Sequence, residues 1–152
     1  MSHDSAFKLD PRLKADTLPL GDLPLSRVLL MDDARYPWLV LVPRGPGWSE
    51  LDQLDGAQRA QLMHEVALAS QALHDGEAVD KINVGALGNI VRQLHVHVVA
   101  RRVGDPAWPG PVWGHGERVP HDATRAGRRL SALRQRLRHL AGPAFTPAAA
   151  DQ

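Results

Sequence analysis

The densest chemistry in this sequence lies in Gln93-Leu94-His95-Val96-His97-Val98-Val99. In an extended chain side chains alternate between faces, so Leu94, Val96 and Val98 point one way and Gln93, His95 and His97 the other. Neighbours on that second face lie about 6.5–7 Å apart, two rises of a strand. Such a strand offers an apolar face to a core and a second face of two imidazoles and an amide. An imidazole near neutral pH is a nucleophile, an acid or base, or a metal ligand. Zinc takes at least three protein ligands, and this strand supplies two, with no acidic or third histidine partner beside it. The plainest alternative is a polar strand face turned to water.

Composition limits what surrounds this strand. A chain of 152 residues, 43% hydrophobic and 23% charged, has the size and make-up of one globular domain. Eighteen basic against seventeen acidic residues leave a net charge of +1, which argues against a nucleic-acid binder. With no cysteine there is no disulfide framework, no thiolate zinc site and no cysteine nucleophile, and a reducing interior fits. The leading MSHDSAFKLD has neither a basic nor an apolar signal region, and runs such as Trp38–Val42 fall far short of the roughly 20 residues of a membrane helix. The expectation is a cytoplasmic protein with no membrane partner.

The elements that must position the histidines follow from periodicity and punctuation. Residues 1–24 carry Pro11, Pro19, Pro24 and Gly21 and are expected to form an N-terminal extension packed on the domain. Ser26–Met31 and Trp38–Val42 are short apolar runs bounded by turn formers, a β-hairpin of buried strands. Asp55 with Gln58 makes a capping box, and Leu62, Val66, Ala69 and Leu73 share one helical face, with Gly76 as terminator. A strand at Lys81–Val84, a glycine-bearing turn to Gly88 and a strand over about Val91–Arg101 complete a domain of residues 25–103. Residues 104–121, rich in Pro, Gly and Trp, exclude helix and central strand. Leu130, Leu133, Leu137 and Leu140 mark a terminal helix within 122–142, and 143–152 read as a tail. This order predicts an α+β fold with an antiparallel sheet.

With these elements placed, GNIVRQLHVHVV resembles the signature of the histidine triad (HIT) superfamily, His-φ-His-φ-His-φ-φ with φ apolar. WLVLVPR is similar to the family strand that ends in a proline and a basic residue, and WPGPVWG to the tail of a bacterial subgroup. The resemblance spans about residues 20–102. It implies an antiparallel sheet with a central and a C-terminal helix, usually paired as a homodimer. It further implies attack at the α-phosphate of a nucleotide conjugate, such as a dinucleoside polyphosphate or a nucleoside phosphoramidate. The nucleophile falls on His95, which becomes a nucleotidyl-histidine that water hydrolyses. His97 is expected at the phosphate oxygens, offsetting developing charge if protonated. Gly88, Asn89 and Asn83 fall at the phosphate, and Asp32 where the family holds a ribose-binding acid. No cofactor is implied, and magnesium would enter only as a counterion of a polyphosphate substrate.

Two positions depart from the family pattern. Gln93 stands for the first motif histidine, and Trp38 for the further histidine on the strand before the proline. As neighbours in the family, they look like one replaced polar contact, and glutamine cannot titrate. Turnover through His95 is expected, against the alternative of a non-catalytic nucleotide-binding or protein-interaction module. Trp108 and Trp113 are candidates for base stacking or packing, and His115 and His121 for loop positions that replace triad functions or face solvent. Arg118, Arg125, Arg128, Arg129, Arg134, Arg136 and Arg138 are expected to form the solvated face of the last helix, with a steering field for polyphosphate or RNA as the alternative.

Overall fold

The computed structural model describes residues 7–76 and 78–149; expectations that touch residues 1–6 and 150–152 lie outside the described residues. Six strands, β1 (Thr17–Asp22), β2 (Ser26–Met31), β3 (Trp38–Pro43), β4 (Lys81–Gly85), β5 (Val96–Arg101) and β6 (Thr146–Pro147), form one antiparallel sheet in the order β4-β5-β3-β2-β1-β6. With helices α1 (Pro11–Asp16), α2 (Gly56–His74) and α3 (Ala123–Ala141), the fold is the expected α+β. No described helix is long and apolar enough to cross a membrane.

The two faces of the sheet have different covers. Leu30, Leu39, Leu41, Val96 and Val98 face α2 and α3, packing with Leu62, Ala69, Leu73, Leu133 and Leu137. Leu29, Trp38, Val40 and Val99 face the other way, against Leu13 of α1 and Ala107 and Val112 of the Pro-rich segment. Period-two alternation on β2, β3 and β5 therefore sorts each strand between two separate cores. The helix caps are local and match the spacing: Asp55 and Gln58 exchange two hydrogen bonds of 2.8 Å at the start of α2, and Asp122 caps α3.

Three expectations about boundaries are corrected. Part of the supposed extension is structural: Thr17–Asp22 pairs with β2, and a bulge between Pro19 and Gly21 absorbs the proline. The histidine-bearing strand begins at Val96, not near Val91, because β4 ends where Gly85 pairs with His97. Residues before it have no ladder partner, and the Leu94 N–H bonds the Trp48 carbonyl at 2.9 Å instead. The supposed tail supplies β6 and the buried Phe145, which lies against Gly21 so closely that any side chain there would strike Phe145 and the Thr146 carbonyl.

One buried carboxylate ties α2 to the sheet. Glu65, with no exposed surface, accepts from the N–H groups of Leu25 and Ser26 at 2.8 Å each and from Gln61 Nε2 at 2.7 Å. Removing it strands two N–H donors at the turn between β1 and β2. Glu65→Ala is expected to lower the unfolding free energy in urea by about 2–4 kcal/mol, with Glu65→Gln, which keeps one acceptor oxygen, losing less.

Candidate active site

The register of β5 with β3, His97 opposite Val40 and Val99 opposite Trp38, turns His97 to the face that the long helices do not cover. His95 immediately precedes the strand, and its ring lies edge to face with His97 at 4.9 Å between centroids. Each ring has its proton assigned by its partner. A backbone carbonyl only accepts, so the 2.7 Å contact from His95 Nδ1 to the Gln93 carbonyl places the hydrogen on Nδ1. The neutral ring then carries its lone pair on Nε2. Trp38 Nε1 only donates, so His97 Nδ1, 3.0 Å from it, is the acceptor and Nε2–H remains as a donor.

His97 is enclosed by aromatic rings, Trp38 at 5.6 Å and Trp113 at 5.5 Å between centroids. Burial, with the adjacent His95 adding to it, pushes its pKa down to about 3. The condition on which His97 would offset charge, a protonated ring, is therefore not met at neutral pH. The ring acts as a neutral donor at neutral pH.

His95 lines two cavities at once. One, about 750 Å³, is bounded by Leu13, Trp38, Val91, His97 and Trp113, with Arg12, Arg35 and Arg118 also in its wall. The other, about 440 Å³, is polar, with Ser49, Glu50, Asp52 and Arg92. Gly88 and Asn89 also line both, and Gly88 has φ of +66°, a conformation that suits glycine. Among the described residues no group of three or more His, Asp or Glu is placed to hold a metal ion.

The structure thus brings His95, His97, Gly88 and Asn89 together. Three expected positions lie elsewhere. The Gln93 side chain turns to the N-terminal segment, its Nε2 donating to the Lys8 carbonyl and its Oε1 accepting from the Asp10 N–H, both at 2.8 Å. Trp38 meanwhile serves His97, so the two departures from the triad are two separate contacts and not one. Asn83 lies outside both cavities, and its Oδ1 accepts from Arg101 Nη1 at 2.9 Å, because buried Arg101 lies beside it on the same sheet face. Asp32 faces His121 and Arg118, and Asp33 borders the large cavity in its place, paired with Arg35 at 2.8 Å.

Trp113 belongs to the cavity wall, whereas His115 and His121 line neither cavity. Arg12 and Leu13 were missed by sequence reasoning, although the basic residue and the apolar residue after Pro11 were the only signal available. The segment holding Trp113 is ordered by Asp105, which pairs with Arg101 at 2.7 Å and accepts from the Trp108 N–H at 2.8 Å.

An imidazole at the start of an interior strand of an antiparallel sheet, with a second imidazole two residues on, is the arrangement of a histidine triad protein. The HIT domain family matches residues 12–104, and the chain belongs to that family. A histidine triad protein from Bradyrhizobium japonicum is 54% identical, covering 87% of this chain and 98% of its own, with a TM-score of 0.84. One from Sinorhizobium meliloti 1021 is 44% identical, over 88% and 98% of the two chains, at a TM-score of 0.85. A third, from Marinobacter aquaeolei VT8, is 43% identical over 89% and 98%, also at 0.85. No curated protein matches.

Two outcomes follow from these contacts. An unfolded histidine titrates near 6.5 and folded His97 near 3, so the unfolded chain binds the extra proton between those values. The stability from a neutral His97 is complete above about pH 6.5 and declines as pH falls toward 3, by about 2 kcal/mol between pH 6.5 and 5. Urea midpoints at pH 7 and 5 are expected to differ less in His97→Gln than in wild type. Gln93→Ala frees the Lys8 and Asp10 backbone groups, and trypsin cleavage at Arg12 and Lys14 is expected to quicken by about tenfold with the global midpoint little changed.

Proposed function

We propose that this protein hydrolyses, or transfers from, a nucleotide conjugate at its α-phosphate through a nucleotidyl-histidine on His95. The observation that carries this reading is the position of His95. Its Nδ1–H is held by a carbonyl, its Nε2 lone pair is available, and it stands at the wall shared by two cavities. A conjugate with its phosphorus at that wall has room for a nucleoside on one side and a leaving group on the other. Leu13, Trp38, Val91 and Trp113 suit the flat apolar face of a base, and the polar cavity suits a charged or amine leaving group.

In the first step Nε2 forms a bond to the α-phosphorus, and the bond from phosphorus to the leaving oxygen or nitrogen breaks with its electron pair. The ring becomes cationic, and the Nδ1–H bond to the Gln93 carbonyl stabilises that charge. The Nε2–H of His97 and backbone N–H groups around Gly88 are donors suited to the phosphoryl oxygens. The expelled group takes up a proton from solvent where it leaves as an amine; water then attacks phosphorus and gives up a proton to solvent, the N–P bond breaks with its pair returning to Nε2, and the nucleoside monophosphate leaves with His95 neutral again. Two steps replace one harder displacement.

The test is intact-protein mass after mixing with adenosine phosphoramidate or a diadenosine polyphosphate, quenched under conditions that preserve an acid-labile N–P bond. An adenylyl adduct is expected in wild type and absent in His95→Ala, with turnover falling by at least about a thousandfold. Nucleotide binding with neither adduct nor product in wild type would overturn the catalytic reading in favour of a binding module.

A further inference from the structure

Trp113 covers His97, yet no hydrogen bond from its own ring keeps it there. The two ring centroids are 5.5 Å apart. The indole occupies space left by Gly85, the residue opposite His97 in the β4–β5 ladder, where a Cβ would meet it at 3.0 Å. Its Nε1 is buried without an acceptor among the described residues, and a buried donor left unpaired is unfavourable. Gly114, with φ of +79°, follows immediately and adds no stiffness to the backbone. The placement of the indole is therefore imposed from further along the chain, on both sides.

On the N-terminal side the anchor is Asp105. Arg101 Nε and Nη2 donate to its two oxygens at 2.7 and 2.9 Å, and the Ala107 and Trp108 N–H groups donate to Oδ1 at 3.2 and 2.8 Å. On the C-terminal side Arg35 donates from Nη1 to the His115 carbonyl at 2.7 Å, while its Nε and Nη2 hold Asp33 at 3.0 and 2.8 Å. Both guanidinium groups lie over the ring of Tyr36, Arg35 at 5.1 Å and Arg101 at 5.7 Å from its centroid. That ring in turn meets Trp38 edge to face at 6.3 Å. A buried ion pair adds little net stability once desolvation is counted, but a planar fork on a carboxylate fixes geometry.

We propose that Arg101 with Asp105 and Arg35 with Asp33 are positioning pairs for the reaction, clamping residues 105–115 at both ends so that Trp113 stays seated on His97 and water stays off its ring. The use in turnover rests on the function proposed above; the seating of Trp113 does not. Besides His95, the charged residues that share a cavity wall with His97 are Arg12, Asp16, Asp33, Arg35 and Arg118. Replacing an anchoring arginine by lysine leaves that charge unchanged and removes the fork.

The experiment follows the ring-nitrogen NMR signals of His97 in the full chain from about pH 8 down to about pH 4. Wild-type His97, its pKa pushed down to about 3, is expected to stay neutral throughout. In Arg101→Lys and in Arg35→Lys it is expected to titrate inside that range, with a midpoint above about pH 4.5, as water reaches the ring. Trp113→Ala is expected to do the same. Glu65→Ala, which loosens the fold away from residues 105–115, is expected to leave His97 as in wild type. A ring that stays neutral in either folded lysine variant, or in Trp113→Ala, overturns the proposal. A matching titration in Glu65→Ala also overturns it, because general loosening then accounts for the change. Arg35 is the more accessible anchor, its side chain 15% exposed against 1% for Arg101, so Arg35→Lys decides alone if Arg101→Lys does not fold. No substrate is used, so the result is independent of whether His95 turns over.

Discussion

A single hydrogen bond, from His95 Nδ1 to the carbonyl of Gln93 two residues back, sets the chemistry of the whole face. It lies within the turn that precedes β5, where β4 has ended and no neighbouring strand claims that carbonyl. An extended ladder reaching back to Gln93 would draw the carbonyl into sheet pairing and leave the imidazole without its anchor. The strand therefore has to start late. Its first residues bind a ring in place of a neighbour, and the ring's other nitrogen is left for chemistry.

The second consequence concerns the two residues that depart from the triad. Gln93 uses its backbone to hold the His95 ring and its side chain for architecture, closing a two-bond amide clasp on the segment before α1. That clasp carries Arg12 and Leu13 to the cavity wall. Trp38 brings an indole N–H to the ring it contacts, and with Trp113 it keeps water from His97. One replacement builds a wall and the other fixes a tautomer. A site assembled this way depends less on proton exchange along a histidine chain than on donors whose protonation does not change with pH.

Much of this was legible in the chain. The alternation through Leu94, Val96 and Val98 divides core from site, and the capping box of Asp55 with Gln58 marks the start of α2, because these are local rules of period and hydrogen bonding. The family resemblance located His95 and His97 on the same grounds. What failed was partner choice. Asn83 and Asp32 were carried to a phosphate and a ribose, yet in the fold buried Arg101 and His121 claim them, and no pattern around either residue discloses a partner so far along the sequence. Prolines in residues 11–24 concealed β1, since a bulge lets a strand keep one. Two residues of strand at Thr146 and Pro147 are too short for any periodicity to register.

That last strand bears on how the protein is made. Among the described residues the outer edge of β1 is paired by Thr146 and Pro147, and Phe145 fills the space that Gly21 keeps open. Synthesis proceeds from the other end at about 5–20 residues per second. Until those residues emerge, the nascent chain presents an uncapped sheet edge and a vacant apolar socket, immediately beside the helix that walls the larger His95 cavity. Docking of Phe145, Thr146 and Pro147 onto β1 therefore follows the folding of the strands and helices made before them.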